Sequence, residues 1–362
     1  MDSHIGFAAI HADSSRLAGV ELVPFRRAIR AGMDGVLVGH IAVVGLEGEG
    51  APPASLSRRL VGRVLRDELD FRGLVFTDAL NMGAVTRRYT VSEASILALQ
   101  AGADVLLQPP GTESVVSAVV AAVESGRIPR ERIDASVRRL LSAKAAVGLH
   151  RDRLPEAGTA ARVVGAPRHR EIAARVAEAS IALPRDRRGL VPLGPEARRI
   201  LHVSYAESDR ASGAAALDRT LVAAGRSVRS VRVSERTTPA EFARLARAAD
   251  SVDLVLASAV AVPREYKGSV GVSRAFASFV EGTSSRGRPV VAVALGSPYL
   301  IEAFPSVPAY LLAWSSSTES QRAAARALLG EAPITGRLPV ALPPHHLAGE
   351  GVRRPGDGAP AP

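Results

Sequence analysis

Three short apolar runs in the first half of the chain, separated from one another by helical patterns, constrain the fold most. These runs lie at residues 34–41, 73–78 and 103–108, and helices are predicted between them at 56–69 and 92–101. Strands that are apolar throughout and alternate with helices indicate a parallel sheet covered on both faces. The polar side chains at the carboxyl ends of these strands are His40, Asp78 and Gln108. Chemistry in α/β folds collects at that edge of the sheet.

The second half of the chain repeats this alternation after a break in composition. Residues 150–167 are rich in Arg, Pro, Gly and Ala without a clear period, which predicts a linker between a domain at 1–149 and a second α/β domain at 168–350. The strands predicted in the second domain lie at residues 199–204, 228–233, 252–260, 290–295 and 309–314. The Gly- and Pro-rich residues 351–362 are predicted to form a disordered tail.

The composition narrows the classes of protein to which the chain can belong. Its 362 residues include no cysteine, which excludes disulfides, thiolate metal sites and a cysteine nucleophile. The net charge of +10 comes from arginines spread along the whole chain, and aromatic residues make up only 4%, so a solvated basic surface is favoured over a nucleic-acid partner.

No apolar run reaches the roughly 18 residues of a membrane span. Asp2 and His4 interrupt the start of the chain, which therefore does not resemble a signal peptide. The compartment of the protein is left open by these features, and a cytoplasmic location is expected for the chain as it stands.

The most informative stretch runs from Leu65 to Val85 and contains Val-Phe-Thr-Asp-Ala-Leu-Asn-Met at 75–82. It puts Asp78 at the mouth of a buried strand, where a carboxylate can serve a pocket or can cap the next turn. The stretch closely resembles the nucleophile region of family 3 glycoside hydrolases, in the β-N-acetylglucosaminidase branch, whose strand ends in the pattern V-T-D-A-L-x-M. The resemblance implies that Asp78 is the catalytic nucleophile.

Further segments resemble the same family in the same order along the chain. Residues 101–110 are similar to its last barrel strand, residues 132–144 to its last barrel helix, and residues 330–343 to the signature that ends its C-terminal domain. The resemblance implies the C-terminal part of a TIM-type (β/α)8 barrel, with about three of the eight strands, followed by an α/β sandwich domain. It also implies a barrel that is truncated on its N-terminal side and leaves an open sheet edge.

The opening Asp-Ser-His resembles the segment of this branch that carries the general acid/base. Residue by residue, the resemblance implies that His4 is the acid/base and that Asp2 orients its imidazole. A histidine suits this role because its unperturbed pKa of about 6.5 lets it give and take a proton near neutrality. Without the barrel wall that aims His4, we expect that little holds it over Asp78, and that the chain alone hydrolyses substrate weakly or not at all.

Two further residues are candidates for the sugar pocket. His40 is expected either to line it or to be a satisfied structural histidine, and Met82 either to pack beside the nucleophile turn or to fill the core. Asp104 is expected to have a structural role. His345 and His346 lack nearby carboxylate or cysteine partners, so no metal site and no cofactor are expected.

The activity that the resemblance implies is the removal of terminal β-linked N-acetylglucosamine by a retaining double displacement. N-acetylglucosaminides are the implied substrates, with cell-wall muropeptides as the substrates of a role in cell-wall recycling. Two alternatives stay open. A β-glucosidase or xylosidase of the same family is disfavoured by the Asp-Ser-His triplet, and a non-catalytic remnant that binds carbohydrate is favoured by the incomplete barrel.

Overall fold

The structure is a computed structural model that describes residues 3–154, 156, 158–206, 213–262 and 270–356. Two compact units make up the chain, Met1–Ala157 and Gly158–Pro362. Among the described residues, no helix is both long enough and apolar enough to cross a membrane.

The described residues of the first unit form two small parallel sheets. Its strands are β1 (Ala8–Ile10), β2 (Gly35–Val38), β3 (Ile41–Val43), β4 (Leu74–Ala79) and β5 (Val105–Leu107). A three-stranded sheet has the order β2-β4-β5, which confirms the three predicted strands, and β1 pairs separately with β3. The β1–β3 pair escaped prediction because strands of three residues are too short to show a periodic pattern.

Helices flank these strands along the first unit. They span Ser14–Arg16, Leu17–Glu21, Leu22–Arg30, Val44–Glu47, Ala54–Leu56, Arg58–Glu68, Gly83–Thr86, Val91–Ala101, Thr112–Glu124 and Arg130–Ala146. The core between the helices and the larger sheet is built on buried aliphatic side chains, including Val36, Val61, Val75, Leu80 and Ala98.

The predicted helix at 56–69 begins later than expected. Ser55, the residue before the predicted helix, is expected to be its N-cap. The N-cap is instead Ser57, whose hydroxyl accepts a hydrogen bond from the Leu60 amide at 3.0 Å. The Ala54–Leu56 turn precedes this cap, and it turns the Ser55 hydroxyl toward His40 instead. A tertiary partner for Ser55 thus displaced the cap by two residues.

In the second unit, the part of the chain that the structure describes forms a six-stranded sheet with helices around it. Its strands are β6 (Ala182–Asp186), β7 (Arg199–Ala206), β8 (Ser227–Val233), β9 (Leu254–Val260), β10 (Val290–Ala294) and β11 (Ala309–Leu312). Their order is β6-β11-β10-β9-β7-β8, and β6 alone runs antiparallel to its neighbour. The helices are Thr159–Val163, Pro167–Ser180, Ala215–Ala223, Pro239–Ala249, Arg274–Ser285, Pro298–Ala303 and Thr318–Leu329. Separate apolar clusters pack on the two faces of the sheet.

Two predictions of irregular structure need correction. The expected linker contains the helix Thr159–Val163. The expected disordered tail is ordered at residues 351–356, because Arg354 exchanges backbone hydrogen bonds with Ile334 and its guanidinium binds Asp186 at 2.8 Å. Residues 357–362 lie outside the described part of the chain.

Candidate active site

Asp78 lies near the carboxyl end of β4, at an irregularity in the sheet. Phe76 pairs with Val105 and Ala79 pairs with Leu107, so β4 has one residue more than β5 between these two pairings. Such bulges re-aim side chains and are frequent beside active sites. The Asp78 side chain is half-buried, and its Oδ1 accepts the Ala79 amide at 2.8 Å. The bulge therefore presents a partly accessible carboxylate at the strand end.

Thr77 fixes this bulge from the buried side of the sheet. Its side chain is 0% exposed, and its hydroxyl accepts the Leu107 amide at 3.0 Å. The Leu107 carbonyl in turn accepts the Leu80 amide at 2.9 Å. The sequence alone gave no reason to single out Thr77, because its partner lies 30 residues further on and only the strand pairing brings the two together.

His40 is a structural residue behind the turn that follows Asp78. It is 0% exposed, its Nε2 lies 3.0 Å from the Ala79 carbonyl, and its Nδ1 lies 2.6 Å from the Ser55 hydroxyl. A carbonyl only accepts, so Nε2 carries the proton and Nδ1 accepts from Ser55. Burial lowers the pKa of His40 below its ordinary value of 6.5 and keeps it neutral. The structure thus favours the satisfied-histidine interpretation over a pocket-lining one.

The buried state of His40 predicts a loss of stability in mild acid. Unfolded His40 gains a proton near pH 6.5, whereas the folded form stays neutral to a lower pH. Its contribution to the free energy of unfolding is therefore fully present above about pH 6.5 and falls as the pH drops below that value. Urea unfolding at pH 7.5 and 5.5 should show a smaller pH effect in His40→Gln than in the wild type, and an unchanged effect in the exposed-site control His150→Gln. Equal pH effects in all three proteins would contradict this assignment.

His4 lies in a segment that is bound to the turn after Asp78. The Gly83 amide donates to the His4 carbonyl at 3.0 Å, and the Ala84 amide donates to the Ser3 carbonyl at 3.1 Å. The His4 side chain is half-buried. These bonds fix the backbone of the segment beside the turn, whereas the expectation that little holds the His4 imidazole over Asp78 stays a prediction. The proposed partner, Asp2, lies outside the described residues.

Met82 and Gln108 flank this turn in different environments. Met82 is 1% exposed, which favours the core-filling interpretation over a contact with sugar. Gln108 directly follows β5, is exposed, and has a φ of 44° in the left-handed region that non-glycine residues rarely adopt. It is therefore a polar residue with a strained backbone, one position beyond the strand that holds the Asp78 bulge.

Asp104 is the centre of a buried ionic network at the opposite end of β4. Its side chain is 0% exposed and lies 2.6 Å from Arg66, 3.0 Å from Arg139 and 3.5 Å from Arg132. It also accepts from the Ser136 hydroxyl at 2.6 Å and the Val75 amide at 3.0 Å. This network ties the helices Arg58–Glu68 and Arg130–Ala146 to β4, in agreement with the expected structural role.

A Ser-His-Asp arrangement in the second unit has the hydrogen bonds of a hydrolytic triad, but its serine is buried. His202 lies 2.5 Å from the Asp218 carboxylate through Nδ1 and 2.7 Å from the Ser258 hydroxyl through Nε2. His202 and Ser258 are both 0% exposed, on the paired strands β7 and β9. A substrate cannot reach a hydroxyl buried in this way, so the network cross-links the sheet.

The three-stranded sheet has an open apolar side along β2. The apolar strand pattern predicts a sheet covered on both faces, and this expectation is wrong here, whereas the truncated barrel that the resemblance implies predicts an open edge. An apolar groove runs along β2, and the residues that line it include Ile10, Phe25, Leu37, Ile41, Val43 and Leu60. Leu37 is 53% exposed although it lies in the middle of a strand. Among the described residues β2 pairs only with β4. The sheet that carries Asp78 is thus uncovered on one side.

The comparisons with known proteins define the family. Residues 1–143 match the N-terminal domain of glycosyl hydrolase family 3, and residues 171–350 match the C-terminal domain of that family. The chain belongs to glycoside hydrolase family 3. This confirms the predicted family and fold class, which combines part of a (β/α)8 barrel with an α/β sandwich domain.

Individual relatives share parts of the chain. A "Beta-N-acetylglucosaminidase/beta-glucosidase" of Cellulomonas fimi is 33% identical over 182 residues, 48% of this chain and 32% of that protein. A beta-hexosaminidase of Mycobacterium tuberculosis is 39% identical over 136 residues, 35% of this chain and 34% of that protein. The solved structure of a family 3 beta-N-acetylglucosaminidase from Paenibacillus sp. covers 93% of this chain and 64% of that chain, with a TM-score of 0.79 and 28% identity. The chain thus matches about a third of the length of these curated relatives.

Proposed function

We propose that the chain carries the hydrolytic machinery of a retaining β-N-acetylglucosaminidase, with Asp78 as nucleophile and His4 as acid/base. One observation carries the proposal. The segment that contains His4 is hydrogen-bonded to the turn that directly follows Asp78, so both groups belong to one local structure. Relatives named for N-acetylglucosaminidase or hexosaminidase activity support the choice of sugar.

In the first step the Asp78 carboxylate attacks the anomeric carbon of the sugar. The bond between that carbon and the glycosidic oxygen breaks, and its electron pair stays on the departing oxygen. His4, protonated at this stage, gives its proton to that oxygen and becomes neutral. The product of the step is a glycosyl ester on Asp78 and a free aglycone.

In the second step neutral His4 acts as the base. It takes a proton from water while the water oxygen attacks the anomeric carbon from the face that the aglycone left. The ester bond breaks, the Asp78 carboxylate is released, and the sugar leaves with its original β configuration. A carboxylate beside the imidazole stabilises the protonated form, and Asp2 is proposed for that role. Cell-wall muropeptides are the proposed natural substrates.

The open side of the sheet leads us to expect slow turnover by the purified chain. Fluorogenic 4-methylumbelliferyl glycosides give the sensitivity that a slow enzyme needs. We expect kcat/KM for the β-N-acetylglucosaminide to exceed that for the β-glucoside by at least about tenfold, because a pocket built to pair a polar substituent discriminates against a substrate that lacks it.

Other outcomes of this assay distinguish the alternatives. A preference for the glucoside would favour the β-glucosidase interpretation, for which the double name of the Cellulomonas fimi relative is the supporting observation. If N-acetylglucosamine binds in a calorimetric titration while neither 4-methylumbelliferyl glycoside is hydrolysed, a carbohydrate-binding remnant would be favoured.

A further inference from the structure

We propose that Gly83 is a positioning residue that seats the acid/base segment on the nucleophile turn. The proposal rests on the proposed function, because it takes His4 to be the acid/base. Gly83 itself touches no reacting atom and acts through the backbone of residues 3–5. Its lack of a side chain is the feature that lets this segment approach.

The space around Gly83 is filled by the backbone of that segment. A Cβ at this position would lie 2.5 Å from the Ile5 carbonyl oxygen, 2.8 Å from the Ile5 carbonyl carbon and 2.9 Å from the His4 carbonyl oxygen. These contacts are far closer than packed atoms allow, and backbone atoms cannot swing aside as a flexible side chain does. Gly83 is not in the left-handed φ region. Glycine is therefore needed for the close approach and not for the backbone conformation.

The segment also completes the short helix Gly83–Thr86. The first amides of a helix have no partner within it and need an external acceptor. Met82 at the N-cap supplies no side-chain acceptor. The carbonyls of His4 and Ser3 accept the Gly83 and Ala84 amides instead. Displacement of the segment would leave both amides without these acceptors, so the helix start and the segment stabilise each other.

The turn on which residues 3–5 pack is held rigidly next to Asp78. The Met82 amide donates to the Ala79 carbonyl at 3.1 Å, and the same carbonyl lies 3.0 Å from His40 Nε2. The Leu80 amide is bound to Leu107 on β5. The turn between Asp78 and Gly83 is thus fixed at both ends, and a change at Gly83 acts on the segment rather than on the nucleophile.

A second glycine offers a matched control. A Cβ at Gly45 would lie 2.4 Å from the Ala12 carbonyl oxygen and 2.7 Å from the His11 carbonyl oxygen. Gly45→Ala therefore introduces a clash of the same kind, in the same unit, at the far end of the N-terminal segment. The pairing of β1 with β3 lies between that clash and His4.

The test compares the wild type, Gly83→Ala and Gly45→Ala as full chains. The imidazole resonances of His4, assigned by their loss in His4→Gln, are followed by NMR through a pH titration. In Gly83→Ala we expect these resonances to move toward those of a free histidine. We also expect kcat for the 4-methylumbelliferyl substrate to fall by about 10- to 100-fold, because a displacement of a catalytic group by about 1 Å lowers the rate by about that factor. With a 2,4-dinitrophenyl aglycone, which needs little protonation, the loss should be smaller. Gly45→Ala should leave the His4 resonances in place.

Several results would overturn the inference. One is a set of His4 resonances in Gly83→Ala that matches the wild type, and another is an equal shift in Gly45→Ala. If Gly83→Ala does not fold, hydrogen exchange of the wild-type amides is measured instead. Gly83 and Ala84 amides that exchange at the rates of an unstructured chain would show that they are not bound to the carbonyls of His4 and Ser3, and would overturn the inference. Unchanged turnover in His4→Gln would overturn the acid/base assignment of the proposed function, whereas activity that depends on His4 but not on Gly83 would overturn only this inference.

Discussion

Asp78→Asn is expected to lower kcat for an aryl β-N-acetylglucosaminide by on the order of 10⁴-fold or more, the scale of loss seen when a catalytic nucleophile is removed. Asparagine has nearly the same shape, and its side-chain oxygen can still accept the Ala79 amide, so the bulge should persist. Its amide is, however, too poor a nucleophile to form the glycosyl ester. The measurement is the fluorogenic assay, with the thermal midpoint of each variant determined alongside.

Asp67→Asn is the control for this experiment. Asp67 is exposed on the helix Arg58–Glu68, so the same chemical change there should leave both kcat and the thermal midpoint near the wild-type values. Loss of activity in Asp78→Asn that is accompanied by an equal loss of folded protein would remove the support for a nucleophile. Retention of activity in Asp78→Asn would contradict the assignment outright.

Asp104→Asn is expected to lower the free energy of unfolding by about 3–5 kcal/mol, because removal of one partner leaves buried charges uncompensated. Three guanidiniums surround a carboxylate that is 0% exposed. Asparagine keeps the volume of the side chain and removes the negative charge. Urea unfolding at pH 7 measures the change, and a loss below about 1 kcal/mol would show that the network contributes little.

Asp70→Asn is the matched control for Asp104. Asp70 pairs with Arg72 in the same unit, but its side chain is 72% exposed, and exposed pairs contribute about 0–1 kcal/mol. Its φ of 53° suits asparagine as well as aspartate. The loss in the free energy of unfolding is compared between the two variants. The difference shows how much of the effect comes from the burial of the ion pair, since both variants remove the same charge.

The Asp104 network also has a predicted pH dependence. Burial by itself raises the pKa of Asp104, but the hydrogen bonds from Ser136 and Val75 and the guanidinium charges lower it by more, so the pKa lies below its ordinary value of 3.8. A lowered pKa means that the folded state favours the carboxylate. The network's contribution to stability is therefore fully present well above pH 3.8 and is lost as the pH falls below that value.

The strands that carry the site were predictable because their apolar runs stand out from the flanking helices. Asp78 was predictable as a strand-end carboxylate, and the role proposed for it comes from the family resemblance. The bulge around it was not, because the extra residue on β4 is visible only against the pairing partner on β5. Thr77 was missed for the same reason, since its hydroxyl replaces a backbone acceptor in that pairing.

The attachment of the His4 segment to the turn after Asp78 was not predictable for a different reason. The bonds that hold its segment run between backbone groups of residues 3, 4, 83 and 84, and backbone groups leave no mark in the residue types. Gly83 is the one residue whose type the contact requires. Glycines are, however, common in turns after strands whether or not another segment packs against them, so Gly83 alone does not predict the contact. His40 was left with two interpretations because burial, which decides between them, depends on the tertiary fold.

The proposed mechanism requires Asp78 to form a covalent bond to the sugar during turnover. This bond can be detected by incubation with a 5-fluoro-N-acetylglucosaminyl fluoride, which slows release of the intermediate, followed by peptide mass spectrometry. We expect one sugar bound per chain, on the peptide that contains Asp78, and no label in Asp78→Asn. Turnover with no label on Asp78, as expected if the acetamido group of the sugar acts as the nucleophile instead, or a label on another residue, would contradict the mechanism.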